Sequence, residues 1–80
     1  MEIEILAFGR AKELMGDHRI KLEVEDQISI EEFKLLLLVR YSALGSLSNF
    51  SIAVNETYAL PGDQLHDADV VAIIPPVSGG

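Results

Sequence analysis

The group in this chain whose setting best invites reaction is the carboxylate of Gly80. It closes the run Pro75-Pro76-Val77-Ser78-Gly79-Gly80. Glycine has no Cβ, so a Gly-Gly terminus can thread a narrow channel and take backbone angles barred to other residues. A partner enzyme can then bring the carboxylate to a buried reaction centre with no side chain in the way. A bare Gly-Gly end is often no more than frayed chain. This one differs in following directly from an apolar strand and a double proline, with Gly80 read as the native terminus.

Other chemistry is poorly provided for. There is no cysteine, which removes disulfides, zinc–thiolate sites, thiol nucleophiles and side-chain persulfides. Any sulfur chemistry must use another group. His18 and His66 have no neighbouring ligands at metal-binding spacing and read as surface residues. No serine stands in a nucleophile-elbow pattern, and Gly9 and Gly16 are not spaced as a phosphate loop. Asp67 and Asp69 are a close acidic pair, of the kind that forms turns ahead of a strand. No self-contained catalytic site emerges, so the chain is expected to enter chemistry as a substrate or a subunit.

The tail needs an anchor. Val70-Val71-Ala72-Ile73-Ile74 is rich in β-branched residues with no polar alternation, which predicts a central strand buried on both faces. Pro75 and Pro76 lack backbone donors and end sheet pairing there. Two prolines in succession also favour an extended course, a stiff spacer leading away from the sheet. Residues 75–80 are expected to form a mobile tail.

The preceding elements follow in order. Glu2–Phe8 alternates and then turns apolar, predicting a strand that becomes central. Arg10–Met15 fits a short helical turn closed by Gly16 as a left-handed cap. His18–Val24 alternates strictly, with Ile20, Leu22 and Val24 inward. Ser29 and Glu32 form a capping box, with Ile28 and Phe33 placed as a hydrophobic staple. The helix they start should run to about Tyr41. Phe33, Leu36, Leu37 and Val39 or Arg40 lie near its core face, with Leu35 or Leu38 as surplus apolar surface that the following loop would partly cover. Leu44 and Leu47 should pack back on the core. Phe50–Val54 and Thr57–Leu60 read as strands joined at Asn55-Glu56, the second an edge. One helix over a mixed sheet of four to five strands, with the first and last strands as central neighbours, is an α+β architecture of the β-grasp, or ubiquitin-like, kind.

Eighty residues, 49% of them apolar, make one domain spanning residues 1–80. A chain of this size buries only roughly 60–65% of its unfolded surface. The net charge is −7, and all six basic residues lie in the first half. That half has nine acids and six bases, so −3; residues 41–80 carry Glu56, Asp63, Asp67 and Asp69 with no base, so −4. Binding to phosphate backbones needs clustered Lys and Arg, so nucleic acid is not an expected partner. The acidic start lacks a signal-peptide pattern, and no apolar run approaches membrane-spanning length, so a cytoplasmic protein with no membrane partner is expected.

Several stretches resemble one family. Ile74-Pro75-Pro76-Val77-Ser78-Gly79-Gly80 is similar to the C-terminal signature of the MoaD/ThiS sulfur carriers, which include the small subunit of molybdopterin synthase. Phe8-Gly9-Arg10-Ala11-Lys12-Glu13-Leu14-Met15-Gly16 resembles the family's segment after its first strand, with Gly9 for Ala and Lys12 for Arg. Ala53-Val54-Asn55 resembles its hairpin. Leu65 to Ala72 resembles its Leu, Gly-Asp-Glu-Val-Ala stretch, with Ala68 for Gly and Val70 for Glu.

The resemblance implies a mechanism. A ubiquitin-activating-type adenylyltransferase converts the Gly80 carboxylate to an acyl-adenylate using ATP, and a sulfur donor enzyme displaces AMP to leave a thiocarboxylate. The tail then enters the large, catalytic subunit of molybdopterin synthase and gives its sulfur to a pterin precursor in molybdenum cofactor biosynthesis. Pro75, Pro76, Val77, Ser78, Gly79 and Phe8 are the implied partner-binding residues, with no bound cofactor or metal. Other functions for the same terminus are conjugation to lysines as a ubiquitin-like modifier, or carriage of sulfur for thiazole or tRNA thiolation. An interaction-only β-grasp module, for which the tail would be dispensable, is a further alternative.

Overall fold

Alternation of apolar and polar residues builds the first strand. In β1 (Glu2–Ala7), Ile3, Ile5 and Ala7 turn inward and are buried, while Glu2, Glu4 and Leu6 face the other way. The structure is a computed structural model that describes residues 1–47 and 49–76. Within it, β1 pairs antiparallel with β2 (Arg19–Glu23) and parallel with β5 (Val70–Ile74). β3 (Ser51–Val54) runs antiparallel along the other side of β5, and β4 (Thr57–Tyr58) is the edge beyond it. The order is β2-β1-β5-β3-β4. The first and last strands are thus central neighbours in a five-stranded mixed sheet, as expected.

Between β1 and β2 the chain makes α1 (Gly9–Met15), which buries Ala11 and Met15. Gly16 ends it at φ 88°, donating its N–H to the Lys12 carbonyl. A left-handed residue closes a helix in this way, and glycine does so without a Cβ clash.

The main helix, α2 (Ile30–Arg40), starts at the capping box. The Ser29 hydroxyl accepts from the Glu32 N–H at 3.1 Å, and a Glu32 carboxylate oxygen accepts from the Ser29 N–H at 3.3 Å. The first N–H groups of a helix have no partner within it. Here those of Ile30 and Glu31 donate to the carbonyls of Asp63 and Pro61, at 2.8 and 3.1 Å. The loop before β5 thereby ties itself to the start of the helix. Leu65, completely buried, completes this junction.

Ile30, Phe33 and Leu37 are the buried residues of α2, joined in the core by Leu44 from the 3₁₀ turn Ser42–Ser46. The expected core face needs correction at its far end: Arg40 is exposed, and so is Val39, at 81%. Val39 stands two residues beyond Leu37, about 200° round the helix, and so points away from the sheet. The surplus apolar residue is Leu35; Leu38 packs partly against the core.

A second correction concerns β5. Val71 and Ile73 are fully buried, but Val70, Ala72 and Ile74 are only half-buried. The strand is central, yet its burial alternates and only one face of the sheet is closed over. An unbroken apolar run does not distinguish a doubly covered strand from one whose second face is apolar and open.

Candidate partner-docking site

The carboxyl end of β5 is where the expected site begins. Its ladder stops at the Ser51–Ile74 pair. Pro75 follows half-buried and Pro76 exposed, so the described chain leaves the sheet at the double proline. Val77, Ser78, Gly79 and Gly80, with the expected mobility of the tail, lie outside the described residues.

Phe8 lies next to this exit. The parallel register sets Ala7 opposite Ile73, and Phe8 is the next residue of its chain. Its backbone is extended, φ −125° and ψ 154°, and it caps α1 with its carbonyl, which accepts from Ala11 N–H at 3.1 Å. The start of α1 therefore holds Phe8 in place while leaving the residue 53% exposed. An exposed aromatic on a backbone fixed by a sheet and a helix, at the end of the sheet where Pro75 and Pro76 leave it, offers an apolar contact to another protein.

The open face of the sheet extends this contact. Leu6 of β1, Phe8 just beyond its end, and Val70 and Ala72 of β5 line a cleft of about 510 Å³, with Asn55 and Glu56 along its rim. The rim is secured by hydrogen bonds. Asn55 Nδ2 donates to Asp69 Oδ1 at 3.0 Å, and Asn55 Oδ1 accepts from the Val70 N–H at 3.0 Å. The other Asp69 oxygen accepts from the His66 N–H at 2.8 Å. Asn55 and Glu56 take φ 49° and 71°, the left-handed pair of a two-residue hairpin turn. Asparagine tolerates that region well; glutamate does so at a cost.

Of the sequence-predicted site residues, the structure thus brings Phe8 to the same end of the sheet as the exit at Pro75 and Pro76. Sequence reasoning missed Leu6, Val70, Ala72, Asn55 and Glu56. The signal was present in part: Leu6 and Phe8 are two apart on one face, as are Val70, Ala72 and Ile74. Reading β5 as buried on both faces concealed it. Asp67 and Asp69 tie the loop before β5 to the rest of the fold, Asp67 by accepting from the Glu2 N–H at 3.0 Å. His18 and His66 are exposed. Among the described residues no group of three or more His, Cys, Asp or Glu side chains is placed to hold a metal ion, and no helix is long and apolar enough to cross a membrane.

Comparison with known proteins adds family evidence to this geometry. The ThiS family pattern matches residues 5–80. The molybdopterin synthase sulfur carrier subunit of Caenorhabditis briggsae is 34% identical over 83 residues, covering 100% of this chain and 99% of the relative. Among solved structures, the small archaeal modifier protein 1 of Methanosarcina acetivorans superposes with a TM-score of 0.76 at 26% identity, covering 99% of this chain and 96% of that one. A chain of the complex of subunits 1 and 2 of molybdopterin-converting factor from Helicobacter pylori 26695 superposes with a TM-score of 0.70 at 26% identity, over the whole of both chains.

Proposed function

The chain belongs to the ThiS family, and from that premise we propose that it is the sulfur carrier subunit of a molybdopterin synthase, with Gly80 as the carrying group. The observation that carries this reading is similarity over the full length to the sulfur carrier subunit of a molybdopterin synthase. Support comes from the central strand β5, which leads directly into Pro75, Pro76 and the four residues that end in Gly79-Gly80.

A carboxylate is a poor electrophile. In the proposed cycle a ubiquitin-activating-type adenylyltransferase joins the Gly80 carboxylate to the α-phosphate of ATP, and pyrophosphate leaves. Sulfide from a donor enzyme attacks the acyl carbon, AMP departs with the C–O bonding electrons, and a thiocarboxylate remains. The tail then enters the large subunit of the synthase and its sulfur passes to a pterin precursor on the way to the dithiolene. The resemblance to a chain of the two-subunit converting factor supports that partner. Phe8, Pro75 and Pro76 and the cleft beside them form the docking surface. They bind and orient; the large subunit supplies the residues that act on the pterin.

Deletion of Gly79 and Gly80 tests this reading. The buried core runs from Ile3 to Ile73, so the truncated chain is expected to melt with the parent while yielding no dithiolene product with the large subunit, ATP, activating enzyme and sulfur donor. Product at the parental rate from the truncated chain would overturn the proposal.

Likeness to a small archaeal modifier protein favours one second reading. In it a lysine amine, not sulfur, attacks the activated Gly80, and the product is a branched conjugate. Recovery of Gly80 chiefly in isopeptide linkage, with no thiocarboxylate, would select it.

A further inference from the structure

The surface of α2 turned away from the sheet carries an apolar patch that the proposed sulfur chemistry does not use. Leu35 is 61% exposed and Val39 81%; four residues apart, they are neighbours on the helix surface. With the half-buried Ile28 they line a groove of about 620 Å³ between α2 and the segment leaving β2. Glu23, Glu25 and Glu32 line the same groove, all exposed, and no lysine or arginine does. Glu32 engages one carboxylate oxygen in the capping box and still carries its charge to the surface. This groove lies on the helix side of the sheet, whereas Leu6 and Ala72 belong to the open side. A partner seated there leaves the face beside Phe8 and Pro76 free.

We propose that this groove is a second docking surface, and that its occupant is an amphipathic helix of a partner protein whose apolar stripe is flanked by lysine or arginine. Charge decides among occupants. A second copy of this chain would bring acidic rim against acidic rim in an isologous contact, which like-charge repulsion disfavours. Anionic lipid surfaces repel the same rim. A basic amphipathic helix satisfies both parts of the groove, burying its apolar stripe on Leu35 and Val39 and setting its cations against Glu25 and Glu32. The proposal does not depend on what Gly80 carries.

The test is a titration of the full chain, followed by NMR, with a synthetic peptide of leucine and lysine at helical spacing. Amide shifts are expected at Glu25, Ile28, Leu35 and Val39, with none from a leucine–glutamate peptide of the same spacing. The double variant L35D/V39D removes the apolar floor while adding two negative charges at exposed positions. Affinity for the leucine–lysine peptide is expected to fall about tenfold or more, with the amide shifts of β1 and β5 retained and the thermal midpoint lowered only slightly, since aspartate opposes the helix dipole near its C-terminus. General attraction between a basic peptide and an acidic protein would instead tighten. Unchanged or tighter binding by the variant, shifts centred on Phe8 and Ala72, or a dimer in sedimentation that the variant dissolves would each overturn the proposal.

Discussion

Ala68 takes φ 68°, a left-handed conformation that suits glycine better than alanine. An L-residue in the left-handed region carries a cost of roughly 1–2 kcal/mol. The Ala68 N–H donates to the Glu2 carbonyl at 2.9 Å, which ties the strained turn to the first strand. Ala68→Gly is expected to relieve the strain but to loosen the unfolded chain by about 0.4–1 kcal/mol. The net expectation is a gain of up to about 1.6 kcal/mol, read as a raised thermal midpoint; a lowered midpoint would contradict it. Asp17 gives a pH signature. Backbone N–H groups of Arg19 and His18 donate to its carboxylate, which holds its pKa below the ordinary 3.8. The folded value is depressed, so its contribution is present above pH 3.8 and is lost as pH falls through the lower folded value. Asp17→Asn should therefore flatten part of the acid limb of a stability–pH curve. Parallel acid limbs for variant and parent would rule this out.

At the scale of elements, legibility followed sequence distance. The box at Ser29 and Glu32 spans four residues and was readable because every partner is local. The hairpin at Asn55 was also readable, but its anchoring through Asp69 was not, since that bond links residues fourteen apart. The helix face is only partly legible because Leu35, Leu36, Leu37, Leu38 and Val39 are all apolar and leave the pattern without a polar edge. Only the packing of Ile30, Phe33 and Leu37 settles which side is inward. The face of β5 is hidden from the sequence for the related reason that Val70, Ala72 and Ile74 are apolar yet only half-buried. Ser29→Ala removes one cap acceptor and is expected to cost about 0.5–2 kcal/mol. An unchanged denaturation midpoint would count against the box as a source of stability.

For the whole molecule, the division of labour is plain. One face of the sheet holds the core, built on Ile3, Ile5, Phe33, Leu37, Val71 and Ile73, and the other offers the cleft between Phe8 and the hairpin. The central strand carries the chain out between them at Pro75. The central claim concerns the last residue, and intact-mass spectrometry addresses it most directly. The full chain is incubated with ATP, the activating enzyme and the sulfur donor, then weighed. The account predicts a monomer in which one oxygen of Gly80 is replaced by sulfur, a product that the chain lacking Gly79 and Gly80 does not yield. A mass that stays unchanged while the acyl-adenylate demonstrably forms and decays, or sulfur found elsewhere in the chain, would contradict it.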